Sequence, residues 1–230
     1  MNKRNYQKEL EQIIAENQEE NRTPSLLLHS CCAPCSSYVL EYLSQYFRIT
    51  DFFYNPNISP ESEYTYREEE LSRLIGEMPL SNPVTFLAGK YEPSRYYAEV
   101  KGLEQEPEGG ARCEVCFRMR LEEAAIKARE LGLDYFTTTL TISPMKDPVL
   151  LNSIGEEMAK KYGVEFLPSE FRKKNGFKRS TELSQEYGLY RQDFCGCVFS
   201  QREAEERRKR LALEHDEKEK NEASSRRKRG

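Results

Sequence analysis

Apolar residues recur along this chain in short runs that alternate with longer amphipathic stretches. Residues 1–21 carry Tyr6, Leu10, Ile13 and Ile14 on one helical stripe with charge elsewhere, which predicts a helix packed on the outside of a domain. Leu26, Leu27 and Leu28 form a continuous run that reads as a buried strand over 25–29. Tyr38, Val39, Tyr42, Leu43, Tyr46 and Phe47 then give helical spacing over 36–47. A second strand is predicted over 49–54, ending in the turn-rich Asn55-Pro56-Asn57-Ile58. Ser59-Pro60-Glu61 supplies a cap, a first-position proline and an early acid for a helix reaching Met78.

Residues 84–87 read as a third strand, and 91–110 as a short helix and a loop closing on Glu106-Pro107-Glu108-Gly109-Gly110. The helix beginning at Cys113 carries Leu121, Ala124, Ala125, Ala128 and Leu131, with Gly132 as its cap. Strand four spans 134–138 and runs into a threonine-rich loop over 139–147. Next come a helix with Leu151, Ile154, Met158 and Tyr162, closed by Gly163, and strand five over 164–167. Residues 171–179 read as a basic loop and 181–187 as a short helix. Ser200-Gln201-Arg202-Glu203 has capping-box spacing for a last helix, and the charged residues beyond Leu213 read as a frayed tail. Alternating strands and helices imply parallel pairing with right-handed crossovers, so the loops after the strands gather at one edge. The expected fold is α/β: a Rossmann-like, mostly parallel sheet of about five strands with helices on both faces. One domain occupies 1–200, and a charged helix and tail follow over 201–230.

Composition narrows the function classes. The 230 residues can bury a core without staples, and the net charge of −4 is not that of a typical nucleic-acid binder. The charge is uneven, however. Arg172, Lys173, Lys174, Lys178 and Arg179 form one basic run and residues 226–229 another, suited to a solvated surface or to a phosphate backbone. No stretch approaches the roughly 20 apolar residues of a membrane span, and the polar start has no signal-peptide core, so a cytoplasmic protein with no membrane partner is expected. There, seven cysteines point to metal binding or redox chemistry rather than a disulfide framework.

Cys31, Cys32 and Cys35 sit where the first strand turns into a helix, and Cys113 and Cys116 open another helix. Helix N-termini stabilise thiolates, and these five thiols can supply the four that a tetrahedral zinc or a cubane iron–sulfur cluster requires. A redox-active Cys32/Cys35 dithiol is a third reading. Cys195-Gly196-Cys197 has a spacing that allows a reducible disulfide or two ligands to one metal. It is flanked by Tyr190 and Asp193, candidate proton donors, and by Arg191, which can meet an anion. Lys146 and Asp147 follow strand four, where they can hold a phosphate or ribose or cap the next helix. No Gly-rich phosphate loop indicates a nucleotide cofactor.

Five phrases, in order, are His29-Ser30-Cys31-Cys32-Ala33-Pro34-Cys35, Tyr54-Asn55-Pro56-Asn57-Ile58, Glu106-Pro107-Glu108-Gly109-Gly110-Ala111-Arg112-Cys113, Thr137-Thr138-Thr139-Leu140-Thr141-Ile142-Ser143-Pro144 and Tyr190-Arg191-Gln192-Asp193-Phe194-Cys195-Gly196-Cys197. Together they resemble the QueH family of epoxyqueuosine reductases over residues 3–200. The resemblance implies two-electron removal of the epoxide oxygen of epoxyqueuosine at the tRNA wobble position, the last step of queuosine synthesis, without cobalamin. It implies a [4Fe–4S] cluster on Cys31, Cys32, Cys113 and Cys116, a redox-active Cys195/Cys197 pair, and a second iron with Cys35, Asp193 or that pair as donors. The partners implied are tRNA and an unidentified low-potential electron donor. On this reading Asp193, Tyr190 or His29 is the acid for the leaving oxygen. Lys146, Arg172, Lys173, Lys174 and Arg191 contact the tRNA, and Tyr190 or Phe194 stacks on the target base. Two other classes compete: a thiol–disulfide oxidoreductase and a zinc-bound tRNA-binding module.

Overall fold

The structure is a computed structural model that describes residues 4–227, with side chains as far as Glu214. Its strands are β1 (Ser25–Ser30), β2 (Arg48–Phe53), β3 (Val84–Ala88), β4 (Tyr135–Thr138) and β5 (Glu165–Phe166). They form one sheet in the order β3-β2-β1-β4-β5, with every neighbouring pair parallel. The helices are α1 (Tyr6–Glu19), α2 (Ala33–Leu43), α3 (Glu61–Glu77), α4 (Pro93–Glu99), α5 (Ala111–Glu130), α6 (Pro148–Tyr162), α7 (Gly176–Glu186) and α8 (Val198–Arg227).

Side-chain alternation along the strands divides the core into two layers. Leu26 and Leu28 of β1 and Phe53 of β2 pack with Leu10 of α1, Leu40 of α2 and Leu71 of α3. Leu27, Phe52 and Phe136 pack on the other face with Leu121 and Ala125 of α5 and Ile154 of α6. β1 and β4 are neighbours whose outgoing chains cross to opposite faces, since α2 lies in the first layer and α6 in the second. The expected Rossmann-like sheet is therefore present, and its strand order reverses at β1/β4, where such sheets hold their ligands.

Local chemistry explains where the elements begin and end. α2 starts at Ala33, ahead of the expected 36: Cys32 is extended at the cap position and Pro34 occupies the first turn, where its missing N–H costs nothing. Asp147 caps α6, its carboxylate accepting from the Val149 N–H at 2.8 Å, and Gly163 closes that helix at φ +65°. The basic segment expected as a loop is helical from Gly176 onward as the start of α7. A Cβ at Gly176 would collide with the Phe171 carbonyl and the Tyr38 ring, so glycine permits the close approach. α8 continues to Arg227 where a frayed tail was expected, because its Glu, Lys, Arg and Ala residues are strong helix formers. The basic run at 226–229 falls outside the residues whose side chains are described. No helix among the described residues is long and apolar enough to cross a membrane.

Asp51 of β2 is fully buried beneath the end of β1. One carboxylate oxygen accepts from the Ser30 hydroxyl at 2.8 Å, and the other has no partner among the described residues. Burial pushes its carboxyl up to about 8. The folded chain thus holds this proton more tightly than the unfolded chain, and the group's contribution to stability is lost as pH rises through about 8. Asp51→Asn should flatten the pH dependence between pH 5 and 9 and stabilise the protein at pH 9 by an amount on the order of a few kcal/mol. Parallel wild-type and variant stability curves, from denaturant titrations across that range, would contradict this.

Candidate metal centre and active-site cleft

The chain leaves β1 at Ser30 and turns into α2 through Cys31 and Cys32. The sulfurs of Cys31, Cys32 and Cys35 all lie within 4.8 Å of one another, with Cys31 Sγ 3.8 Å from Cys32 Sγ. The Thr139 hydroxyl also points at Cys31 Sγ, from 3.8 Å. Hydrogen bonds from Cys32 and Cys35 hold the Cys31 thiol well below its ordinary range, and Arg120 and Lys146 add to the effect. The same sharing pushes Cys32 and Cys35 up.

The start of α5 packs against the same core layer, and its Cys113 lines a small neighbouring pocket with Lys146 and Cys195. Gly109 and Gly110 bring the backbone round, and the Gly109 N–H donates to Cys113 Sγ at 3.2 Å. Arg112, fully buried, fastens this loop through the carbonyls of Glu104 (3.1 Å) and Glu106 and the carboxylate of Glu203 (3.0 Å). Cys116 lies one turn on, buried, and burial pushes its thiol up to about 12. One turn further, Arg120 reaches back across the sheet edge to Asn55 Oδ1 and, at 3.3 Å, to His29 Nε2.

His29 is completely buried, with Nδ1 2.9 Å from Thr138 Oγ1 and Nε2 3.0 Å from the Tyr54 carbonyl. Burial, reinforced by Arg120, pushes its pKa down to about 3. A neutral ring has one N–H, so the tautomer selects between the Tyr54 and Arg120 contacts. His29 is therefore a packed, neutral residue, which removes it from the candidate acids.

The other wall is the segment 190–197. Arg67 Nη1 donates to the Cys195 carbonyl at 3.0 Å, the Ser59 N–H donates to the Gly196 carbonyl at 2.9 Å, and Gly196 sits at φ +131°. Cys195 faces a cleft of about 480 Å³ that also exposes Cys31, Cys32, Cys35 and Lys146. Cys197 packs instead with Tyr96, Val100, Cys116 and Met119. Burial opposes the charge of the half-buried Lys146, but the sulfurs of Cys195, Cys31 and Cys35 more than offset it, and its pKa is raised. Met145, Phe177 and Arg191 form part of the rim, and the Arg191 guanidinium lies 5.6 Å from the Phe177 ring centre.

The other sequence candidates are less centrally placed. Asp193 is on the cleft rim, but its carboxylate is held by Arg208 at 2.8 and 2.9 Å, and its carbonyl accepts from Arg207. Tyr190 is outside the cleft lining, edge-on to Tyr66 with centroids 5.3 Å apart, and its backbone N–H donates to Glu70. Arg172 and Lys173 pair with Glu170 at 3.1 and 2.9 Å, and Lys174 pairs with Glu11, so much of the basic run is neutralised within the fold. Asp147 is a helix cap. Sequence reasoning missed Arg67, Arg112 and Arg120. The available signal was the spacing of Arg112 and Arg120, each four residues from Cys116, which puts two cations on the buried stripe of one helix.

The donor set fits an anionic thiolate centre. Three sulfurs lie within reach of one ion, Cys113 already accepts an N–H, and the cations Arg120 and Lys146 act on the same sulfurs. Zinc and iron–sulfur centres both take such ligands.

Residues 26–203 match the family model described as "Epoxyqueuosine reductase QueH". Similar proteins carrying the same description include one from Streptococcus pyogenes serotype M1, 46% identical over 198 residues, covering 85% of this chain and 78% of its own length. One from Staphylococcus epidermidis is 44% identical over 200 residues (85% and 84% covered). A third, from Thermotoga maritima, is 39% identical over 189 residues (80% and 93% covered).

Gly196→Ala places a Cβ 2.9 Å from Ile58 Cγ1 and 3.2 Å from Arg67 Nη1, at a φ that side chains rarely adopt. The substitution should lower stability by about 1–3 kcal/mol and accelerate alkylation of the buried Cys197. An unchanged melting curve together with an unchanged alkylation rate would contradict the account of this wall.

Proposed function

The chain belongs to the QueH family of epoxyqueuosine reductases, oxidoreductases that act on tRNA in the last step of queuosine biosynthesis, and from that premise we propose that the cleft at β1/β4 is where the epoxide is reduced. The reaction takes an epoxide, two electrons and two protons to an alkene and water. The observation that carries the proposal is that Cys31, Cys32, Cys35, Cys195 and the Lys146 ammonium open onto one cleft at the strand-order reversal.

We assign a [4Fe–4S] cluster to Cys31, Cys32, Cys113 and Cys116, which leaves Cys35 on the cleft side, with Asp193 on the rim, for a second iron. When bound, such a cluster supplies electrons at low potential. The protein's own groups do the rest. Cys195 and Cys197 are the proposed redox-active pair: as a dithiol they can release two electrons and two protons on closing a disulfide, which matches the demand of the epoxide. Cys195 meets the cleft while Cys197 is shielded behind it. Lys146, kept protonated by the surrounding sulfurs, is the best-placed donor to the departing oxygen. It displaces Tyr190, which lies outside the cleft lining, and Asp193, which is engaged by Arg208.

The substrate base enters as an unstacked nucleotide of the anticodon loop, where Phe194 at the cleft and Phe177 at its rim offer ring faces for stacking. Arg191, which has no carboxylate partner among the described residues, is the rim cation available to a phosphate. Arg172, Lys173 and Lys174 can add to tRNA contact only in exchange for Glu170 and Glu11. The remaining partner is a low-potential electron donor, and a tRNA substrate is the ground for the cytoplasmic site of action proposed here.

The test is anaerobic turnover of epoxyqueuosine-containing tRNA with a chemical reductant, followed by mass analysis of the released nucleosides. Wild type should yield queuosine. Lys146→Met should lower kcat by about 10²–10⁴-fold with little change in KM, the size of effect expected for a lost general acid. Full turnover by Lys146→Met would remove Lys146 from that role, and no queuosine from reconstituted wild type would defeat the assignment of the cleft.

A further inference from the structure

Among the described residues three arginines are almost completely buried: Arg67, Arg112 and Arg120, each 1% exposed. A buried guanidinium is costly unless an opposite charge compensates it. Arg67 pairs with Glu63 at 2.7 Å and Arg112 with Glu203 at 3.0 Å. Arg120 has no carboxylate partner among the described residues.

Its polar contacts are to neutral groups. Nη2 donates to Asn55 Oδ1, Nε approaches His29 Nε2 at 3.3 Å, and Nη1 has no hydrogen-bond partner. The groups whose negative charge would act on it are sulfurs, those of Cys116 and Cys31 among the ligands assigned to the cluster and that of Cys195 beside them. This placement is built into the fold. Cys116 and Arg120 share a face of α5 at one-turn spacing, while Asn55 Nδ2 donates to the Ser30 carbonyl at 2.9 Å, immediately before Cys31. Arg120 therefore spans the two segments that carry the thiols.

We infer that Arg120 is the buried counter-cation of the thiol centre and raises the reduction potential of the iron–sulfur cluster proposed there. The inference rests on that cluster assignment. Adding an electron makes an anionic centre more negative, so a fixed neighbouring cation stabilises the reduced form more than the oxidised one. In a buried site, water and salt screen this preference only weakly. Arg120 is a positioning residue rather than a catalytic one: it lies behind the thiols, outside the cleft lining, and acts through them.

Iron and sulfide analysis of anaerobically reconstituted full-length protein, followed by a dye-mediated redox titration monitored by electron paramagnetic resonance, tests the inference at fixed pH. Arg120→Gln should load with cluster and titrate at a potential more negative than wild type by at least 59 mV, the equivalent of a tenfold change in a one-electron equilibrium. Arg120→Lys, which keeps the charge, should stay closer to wild type. A fully loaded Arg120→Gln with the wild-type potential would overturn the inference, and so would an Arg120→Lys shift as large as that of Arg120→Gln. If Arg120→Gln does not fold or load, Asn55→Asp decides the matter by placing a carboxylate on the guanidinium. It should lower the potential, and an unchanged value would overturn the inference. Wild type that takes up no iron and sulfide would instead defeat the cluster assignment itself, and the inference with it.

Discussion

The side-by-side placement of β1 and β4 is the constraint from which the site follows. Their outgoing chains enter helices on opposite faces of the sheet, α2 with the first core layer and α6 with the second. Helices that diverge in this way leave a crevice at the carboxyl ends of the two strands. The turn carrying Cys31 and Cys32 directly follows β1, and the loop carrying Lys146 follows β4 after one 3-10 turn over Thr139–Ile142, so both open into that crevice. α5, returning from β3 to β4, brings Cys113 and Cys116 to the same edge.

Collecting sulfur and nitrogen groups, several of them buried, around one cleft creates a problem of charge. Burial alone pushes a thiol up, as at Cys116 and Cys113. The opposing tendency comes from S–H and N–H donors and from Arg120 and Lys146, which favour thiolate at Cys31. Of the two carboxylates that line the cleft, Glu108 and Asp193, the second is turned to Arg208. The cleft is thus organised for an occupant that is anionic through sulfur, which is the electrostatic character of a thiolate-bound metal centre. The second charge-bearing layer, Arg67 and Arg112 with their glutamates, fastens the 190–197 segment and the α5 start to the fold.

Much of this was legible in the sequence. The triple-leucine strand, the thiols at two helix starts, the Gly163 boundary and the parallel topology all follow from local pattern, whereas Asp147 read equally as a helix cap or a phosphate contact. What escaped depends on partners far along the chain. Within 171–179, Lys174 and Arg179 read as free cations because their partners Glu11 and Glu41 come from distant segments, whereas Glu170, which pairs with Arg172 and Lys173, stands next to the run. Asp193 looked available for chemistry because nothing local announced its pairing with Arg208. Arg120 was invisible for the same reason: its meaning lies in contacts with His29 and Asn55, 91 and 65 residues away. The long α8 was underestimated because a charged, non-amphipathic stretch lacks an apolar stripe, although its residues favour helix.

The central claim is that thiols from separate segments meet to hold one anionic iron–sulfur centre. It is tested most directly by measuring iron, acid-labile sulfide and zinc in a single anaerobic sample and recording its visible spectrum before and after dithionite. The account predicts a brown protein with about four irons and four sulfides per chain, bleached on reduction. A colourless protein that resists reconstitution and holds about one zinc would contradict it.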